Sequence, residues 1–343
     1  MSKTIMYQEA LSAPSKVAEQ LQYNTKIWQE ICAHLKKYPP AFAATVARGS
    51  SDHAATYAKY LLESKIGLVT ASIAPSIYTI YQSQTAVANS LFLGISQSGK
   101  SPDLVQSFLS VKNQATTVAL VNVEGSPLAN AARFVVPLLA GEEKAVAATK
   151  SYICALTALA QFIAIYTEDK VLQEALNALP EYLSLAANLD WQVVIDALKD
   201  EQDAYVIGRG YGYAIAQEAA LKLKETACLH SEPFSSAEVL HGPFALIKKS
   251  FPTLVFAQND ASAKGTIELA QKMHQMGANV MFAMPGSRHV NSTHNLETTK
   301  SLHPLLDPIL LIQSFYTMAA KLATARGLNP DQPENLNKVT QTV

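Results

Sequence analysis

Glu218, Lys222 and Glu225 follow one another at intervals of four and three residues within 214–227, a stretch with helical periodicity. That spacing lines two carboxylates and an ammonium along one helix face, while Lys224 points elsewhere. The set has two readings. It can be a solvated row of ion pairs, worth little, or a carboxylate held beside an ammonium for proton transfer next to a carbonyl. Downstream, Glu238 and His241 precede Gly242 and Pro243, in a turn that should present an imidazole rather than bury it. As an imidazole, His241 could serve the opening of a sugar ring, or it could be a plain exposed histidine. His230 and His289 have no comparable setting.

A second kind of chemistry is suggested by Ser96, Gln97, Ser98, Gly99, Lys100 and Ser101, which follow an apolar run and precede the helical run 103–111. Small residues let backbone N–H groups converge, the Ser and Gln side chains add donors, and the helix N-terminus adds partial positive charge, so the loop can cradle a phosphate. It can equally be an ordinary capped loop, since Ser and Asp are favoured N-caps. Its context strengthens the first reading. Gly49, Ser50, Ser51, Asp52 and His53 leave the preceding apolar run in the same way, so two hydroxyl-rich loops can face one ligand. The run from Gly208 to Gly212 is not a dinucleotide fingerprint, because Tyr213 stands where the third glycine is needed, and no Walker A sequence occurs. No cofactor is expected. Metal-ligating residues are not clustered at coordinating spacings, so no metal site is expected either. The C-terminal DQPENLNKVTQTV lacks an apolar stripe and reads as a frayed tail, with Lys338 its only lysine.

These loops need strands to carry them. Apolar runs at 41–47, 67–74, 91–96, 116–123 and 134–139 alternate with helical segments, and the same grammar restarts with AYVIGRG, TLVFAQ and NVMFAM. Runs this apolar suit parallel sheets covered on both faces. The expected fold is therefore α/β, with two tandem doubly wound three-layer αβα domains, an N-terminal helix ending near Lys37 and the C-terminal tail. The boundary is placed between about 180 and 200, giving domains 1–190 and 191–343, with a helical segment from 170 to 199 interrupted at Pro180. Binding loops should leave the carboxyl ends of the strands, where open parallel sheets hold ligands. A net charge of −1 gives no polyanion-binding surface, so nucleic acid is not an expected partner. The three cysteines, Cys32, Cys154 and Cys228, are odd in number and far apart, which fits a reducing compartment. Without an apolar leader or a membrane span, the chain is expected to be cytoplasmic and not membrane-bound.

Taken together, YQEALSAP, GSSDHA, SQSGKSPD, VAATK, GRGYGYAIAQEAALKLKE, HSEPFSSAEVLHGP and DQPENLNKVT resemble, in this order and over essentially the whole chain, the sugar isomerase (SIS) domain family. The likeness is to the isomerase half of glucosamine-6-phosphate synthase and to the stand-alone glucosamine-6-phosphate deaminases of that fold. The resemblance implies that Ser50, Ser51, Ser96, Gln97, Ser98 and Ser101 bind a sugar phosphate, with the backbone near Val146 and Ala148 lining the sugar. It implies that Glu225 moves a proton between C2 and C1, that Lys222 and His241 assist ring opening, and that His241 reaches the site from a neighbouring subunit of a homodimer. Lys338 matches the lysine that can form a Schiff base with a keto sugar in the synthase. Two departures shape the expectation. Ala148 stands where the synthase has a sugar-binding serine, and the chain begins at the isomerase half. Deamination of glucosamine 6-phosphate to fructose 6-phosphate and ammonia is therefore expected over synthesis from glutamine. A fructosamine-6-phosphate deglycase, a galactosamine-6-phosphate deaminase and a non-catalytic sugar phosphate sensor are the rival readings.

Overall fold

The computed structural model describes residues 4–286 and 289–338. Its Cα positions divide into two compact units, each carrying one sheet. The first comprises Ser15–Glu143, Lys150–Asn177 and, at the C-terminus, Asn337 and Lys338; the second comprises the residues before Ser15, Lys144–Thr149 and Ala178–Leu336.

In chain order the elements are α1 (Ile5–Lys37), β1 (Phe42–Val46), α2 (Ser50–Leu61), β2 (Thr70–Ser72), α3 (Ser76–Thr79), β3 (Ser90–Ser96), α4 (Pro102–Val111), β4 (Thr116–Val121), α5 (Pro127–Ala131), β5 (Phe134–Pro137) and α6 (Lys150–Tyr166). The first unit's sheet is wholly parallel, ordered β2-β1-β3-β4-β5. Every residue of β3 is buried, as a central strand covered on both faces requires. One face packs a cluster around Phe92, Phe108, Leu104 and Val121. On α1, the amides of Gln20 and Asn24 donate to the carbonyls of Leu138 (2.9 Å) and Pro137 (2.9 Å), satisfying the chain where β5 ends.

Then follow α7 (Lys170–Ala186), α8 (Gln192–Leu198), β6 (Asp203–Gly208), α9 (Tyr211–Ala227), β7 (His230–Ser235), β8 (Pro252–Phe256), α10 (Ala263–Gln275), β9 (Asn279–Ala283), β10 (His294–Asn295) and α11 (Asp307–Ala325). This sheet is also parallel, ordered β10-β9-β8-β6-β7. Counted from its own first strand, that is the order of the first sheet, so the α/β repeat expected from the sequence is present. In both sheets the strand order reverses beside the first strand, between β1 and β3 and between β6 and β8, and the crevice above such a point is where loops of this architecture meet ligands.

Two local expectations are corrected, and one strand is present that the sequence reading did not include. Helix α7 runs through Pro180 rather than stopping there. The apolar stripe of Leu172, Leu176, Leu179 and Leu183, all buried, holds the helix together across the missing N–H. The polar stretch HSEPFS forms β7, an edge strand that tolerates Pro233 because only one of its sides is paired. The C-terminal stretch is not frayed as far as Lys338. Asp331 accepts the backbone N–H groups of Ile5 (2.9 Å) and Met6 (2.7 Å), capping α1 with a carboxylate, and its carbonyl accepts from Val146 (3.0 Å). The last part of that expectation, 339–343, lies outside the described residues. No helix among the described residues is long and apolar enough to cross a membrane.

Candidate active site

Ser96 ends β3, and the chain turns through Gln97–Ser101 into α4. The Ser96 hydroxyl accepts from Gly99 N–H (3.0 Å) and the Ser98 hydroxyl from Lys100 N–H (3.2 Å), which closes the loop on itself. The carbonyls of Gln97 and Gly99 are drawn outward by the N–H groups of Asn122 (3.2 Å) and Leu128 (3.0 Å). Gly99 has φ +61°, and a side chain there would run into Ser126, so the turn requires glycine. Ser101 is the N-cap residue of α4 yet makes no side-chain cap bond; the Leu104 N–H goes instead to Asp103 (2.9 Å). The Ser101 hydroxyl is therefore not used to cap α4. On the neighbouring strand, Gly49 (φ +54°) starts α2 without any side-chain cap, and Ser50 and Ser51 stand in its first turn. The hydroxyl loops thus sit side by side at the carboxyl ends of β1 and β3. Behind them burial pushes the Asp52 carboxyl up, against the pull of His53 and Arg48.

In the second unit, the helix face of α9 is not solvated. Glu218 and Lys222 are buried, with side chains 0% and 1% exposed, while Glu225 keeps 22%. Lys222 Nζ lies 2.5 Å from Glu225 Oε2 and 3.4 Å from Glu218 Oε1. Tyr316 on α11 donates to the same Glu218 oxygen at 2.9 Å. Burial alone disfavours the ammonium, but the two carboxylates outweigh it and hold Lys222 above the ordinary lysine range. The arrangement fixes a protonated lysine against one carboxylate that is sealed and another with an open edge. Lys224 is exposed and donates to the Ser231 carbonyl (2.9 Å), off this face.

The other sequence-derived positions fall into separate settings. His241 follows a short 3-10 turn, Glu238–Leu240, and its exposed imidazole makes no hydrogen bond with any described residue. Val146 and Ala148 are half-buried in 144–149, a segment of the second unit pinned by Glu9, which accepts from the N–H groups of Lys144 (2.5 Å) and Ala145 (3.3 Å). Lys338, in the first unit, pairs with Glu143 at 3.2 Å. Glu143 is itself buried and accepts from the Ser151 N–H (3.2 Å) and hydroxyl (2.7 Å). Among the described residues no group of three or more His, Cys, Asp or Glu could hold a metal ion.

The family model for the SIS domain matches residues 43–165 and 197–325, one match over each sheet. The chain belongs to the SIS domain family. Among SIS relatives, a protein from Silicibacter pomeroyi DSS-3, provisionally named a phosphosugar isomerase, is 39% identical with a TM-score of 0.90, covering 96% of this chain and 100% of its own. A glutamine–fructose-6-phosphate aminotransferase (isomerizing) from Symbiobacterium thermophilum is 34% identical over 86% of this chain. The match spans 51% of that relative, so the chain covers about half the length of the curated relatives it matches. The C-terminal domain of glucosamine-fructose-6-phosphate aminotransferase from Francisella tularensis superposes with a TM-score of 0.82 at 25% identity, covering 96% and 98% of the two chains. A glucosamine-6-phosphate deaminase from Thermotoga maritima shares the fold, with a TM-score of 0.75 at 21% identity.

Within this SIS chain, residues that carry the geometry were missing from the sequence-derived set. Glu218 was visible as the third charge on its helix face, but nothing local marked it as sealed. Tyr316, Glu143 and Asp331 depend on contacts 98, 8 or 195, and more than 300 residues away, which no local pattern announces.

Proposed function

We propose that this chain is a SIS-type phosphosugar isomerase that deaminates glucosamine 6-phosphate, giving fructose 6-phosphate and ammonia. The observation that carries the proposal is the Glu225 carboxylate, open on one edge and held 2.5 Å from a buried, charged Lys222. A base in that setting is fixed in place and has a cation beside it to offset the charge that develops on a neighbouring oxygen. In this reading Ser50, Ser51, Ser96, Gln97, Ser98 and Ser101 bind the phosphoryl group, and the backbone about Val146 and Ala148 lines the sugar. His241 and Lys222 assist ring opening, with His241 supplied by a second copy of the chain in a homodimer.

The open-chain amino aldose then loses its C2 proton to Glu225 while O1 takes up a proton, giving an enolamine; Glu225 returns the C2 proton to C1 as the nitrogen gives one up, so the net change moves one proton from C2 to C1 and one from nitrogen to O1. The product is the 2-imine of fructose 6-phosphate, which one water hydrolyses to the ketose and ammonia. Lys338 is engaged by the buried Glu143 carboxylate, which supports an orienting role over attack on the keto carbon. The reading is tested by supplying the purified protein with glucosamine 6-phosphate, galactosamine 6-phosphate or a fructosamine 6-phosphate. Ammonia and fructose 6-phosphate from the first are expected. Turnover of only another substrate would move the activity to that sugar, and binding without turnover of any would make the chain a sensor.

A further inference from the structure

Arg48 and Asp103 join the two hydroxyl loops. Arg48 immediately precedes Gly49, and Asp103 lies in the first turn of α4, two residues beyond Ser101. The guanidinium meets one carboxylate oxygen of Asp103 twice, through Nε at 2.9 Å and Nη2 at 2.8 Å. The other oxygen accepts the Leu104 N–H. Asp103 is sealed, with its side chain 0% exposed, while Arg48 is 48% exposed.

A buried carboxylate is an odd neighbour for an anion cradle. Two residues of chain put it within about 7 Å of Ser101, close enough for its charge to oppose an incoming phosphoryl dianion. Helix α4 does not need a carboxylate for its cap, since serine or asparagine would serve. The carboxylate does hold the Arg48 fork through Nε and Nη2, which leaves Nη1 unused on Asp103 in a side chain that is 48% exposed.

We propose that Arg48 is a substrate-binding determinant of the phosphate site: it cancels the Asp103 charge and, held in place by Asp103, offers its open edge to the phosphoryl group. The inference rests on the reading that the Ser96–Ser101 loop binds phosphate. Arg48 acts on affinity and not on the proton transfer, which Glu225 carries.

The test is calorimetric titration of the full-length protein with glucosamine 6-phosphate and with unphosphorylated glucosamine, paired with steady-state kinetics. The proteins are wild type, Arg48→Ala, Asp103→Asn, the double variant and Ser98→Ala, each checked for a native unfolding transition. Arg48→Ala is expected to weaken phosphosugar binding by about tenfold and to raise KM, with kcat nearly unchanged. Asp103→Asn is expected to bind at least as tightly as wild type, and the double variant to bind more tightly than Arg48→Ala but less tightly than Asp103→Asn, because the repelling charge has gone while the guanidinium contact is still missing. A merely structural cross-link would give the opposite: Asp103→Asn as weak as Arg48→Ala, and no recovery in the double. Either that pattern or unchanged affinity in Arg48→Ala overturns the proposal. If wild type fails to prefer the phosphorylated sugar and Ser98→Ala changes nothing, the phosphate reading has failed, and the role of Arg48 with it.

Discussion

Tyr316 on α11 donates its hydroxyl hydrogen to Glu218 on α9 at 2.9 Å, behind the Lys222 ammonium. Both side chains are fully buried, so the bond fixes the rear wall of the charged cluster. The order of damage on dissecting it follows from what is left unpaired. Tyr316→Phe removes one bond to a charged group and should cost about 1.5–3 kcal/mol. Lys222→Met leaves Glu218 buried without its cation and should cost about 3–5 kcal/mol, with Glu218→Gln in between. Urea unfolding monitored by circular dichroism gives the order. Equal losses, or a reversed order, would mean that the cluster is not the buried ion network described above.

Asp52 gives a pH signature. Burial raises its folded pKa, so the folded state holds this proton more tightly than the unfolded chain does. Below the unfolded carboxylate value of about 3.9 both states are protonated and the group is neutral to stability. As pH climbs past that value the unfolded state ionises first, and stability is lost until the folded value is passed. Asp52→Asn should therefore raise Tm by about 2 °C at pH 7, and the gain should vanish near pH 3. A gain that persists in acid would assign the effect to something other than the charge.

The cysteines should separate by reactivity. Cys228 is exposed, whereas Cys32 and Cys154 are buried and burial pushes both thiols up, Cys32 to about 12. An aromatic disulfide reagent should titrate one thiol rapidly in the native protein and all three only after denaturation. Two or more fast thiols would place Cys32 or Cys154 at the surface.

Legibility in the sequence tracked how much of each feature was local. Strand β3 was readable because all seven of its residues are apolar or small and buried. Strand β7 was not, because a polar edge strand that contains Pro233 and has one buried residue lacks the apolar run that marked the others. The 96–101 loop was visible as composition, and the structure adds that Ser101 does not cap α4. Glu218, Lys222 and Glu225 were placed on one face correctly. Whether that face met water depended on α11, more than eighty residues downstream, and α9 buries it there. The tail was misread for the same reason: Asp331 is polar in sequence, yet it caps the helix that begins the chain.

The most direct test of the account is Glu225→Gln, which keeps the side-chain shape and removes the base. Turnover of glucosamine 6-phosphate, followed as ammonia release, should fall by about a thousandfold, while the dissociation constant for the phosphosugar stays within about threefold of wild type, because the proposed phosphate-binding residues do not include Glu225. Retained turnover, or a loss of binding equal to the loss of turnover, would contradict the assignment of Glu225 as the group that carries the proton.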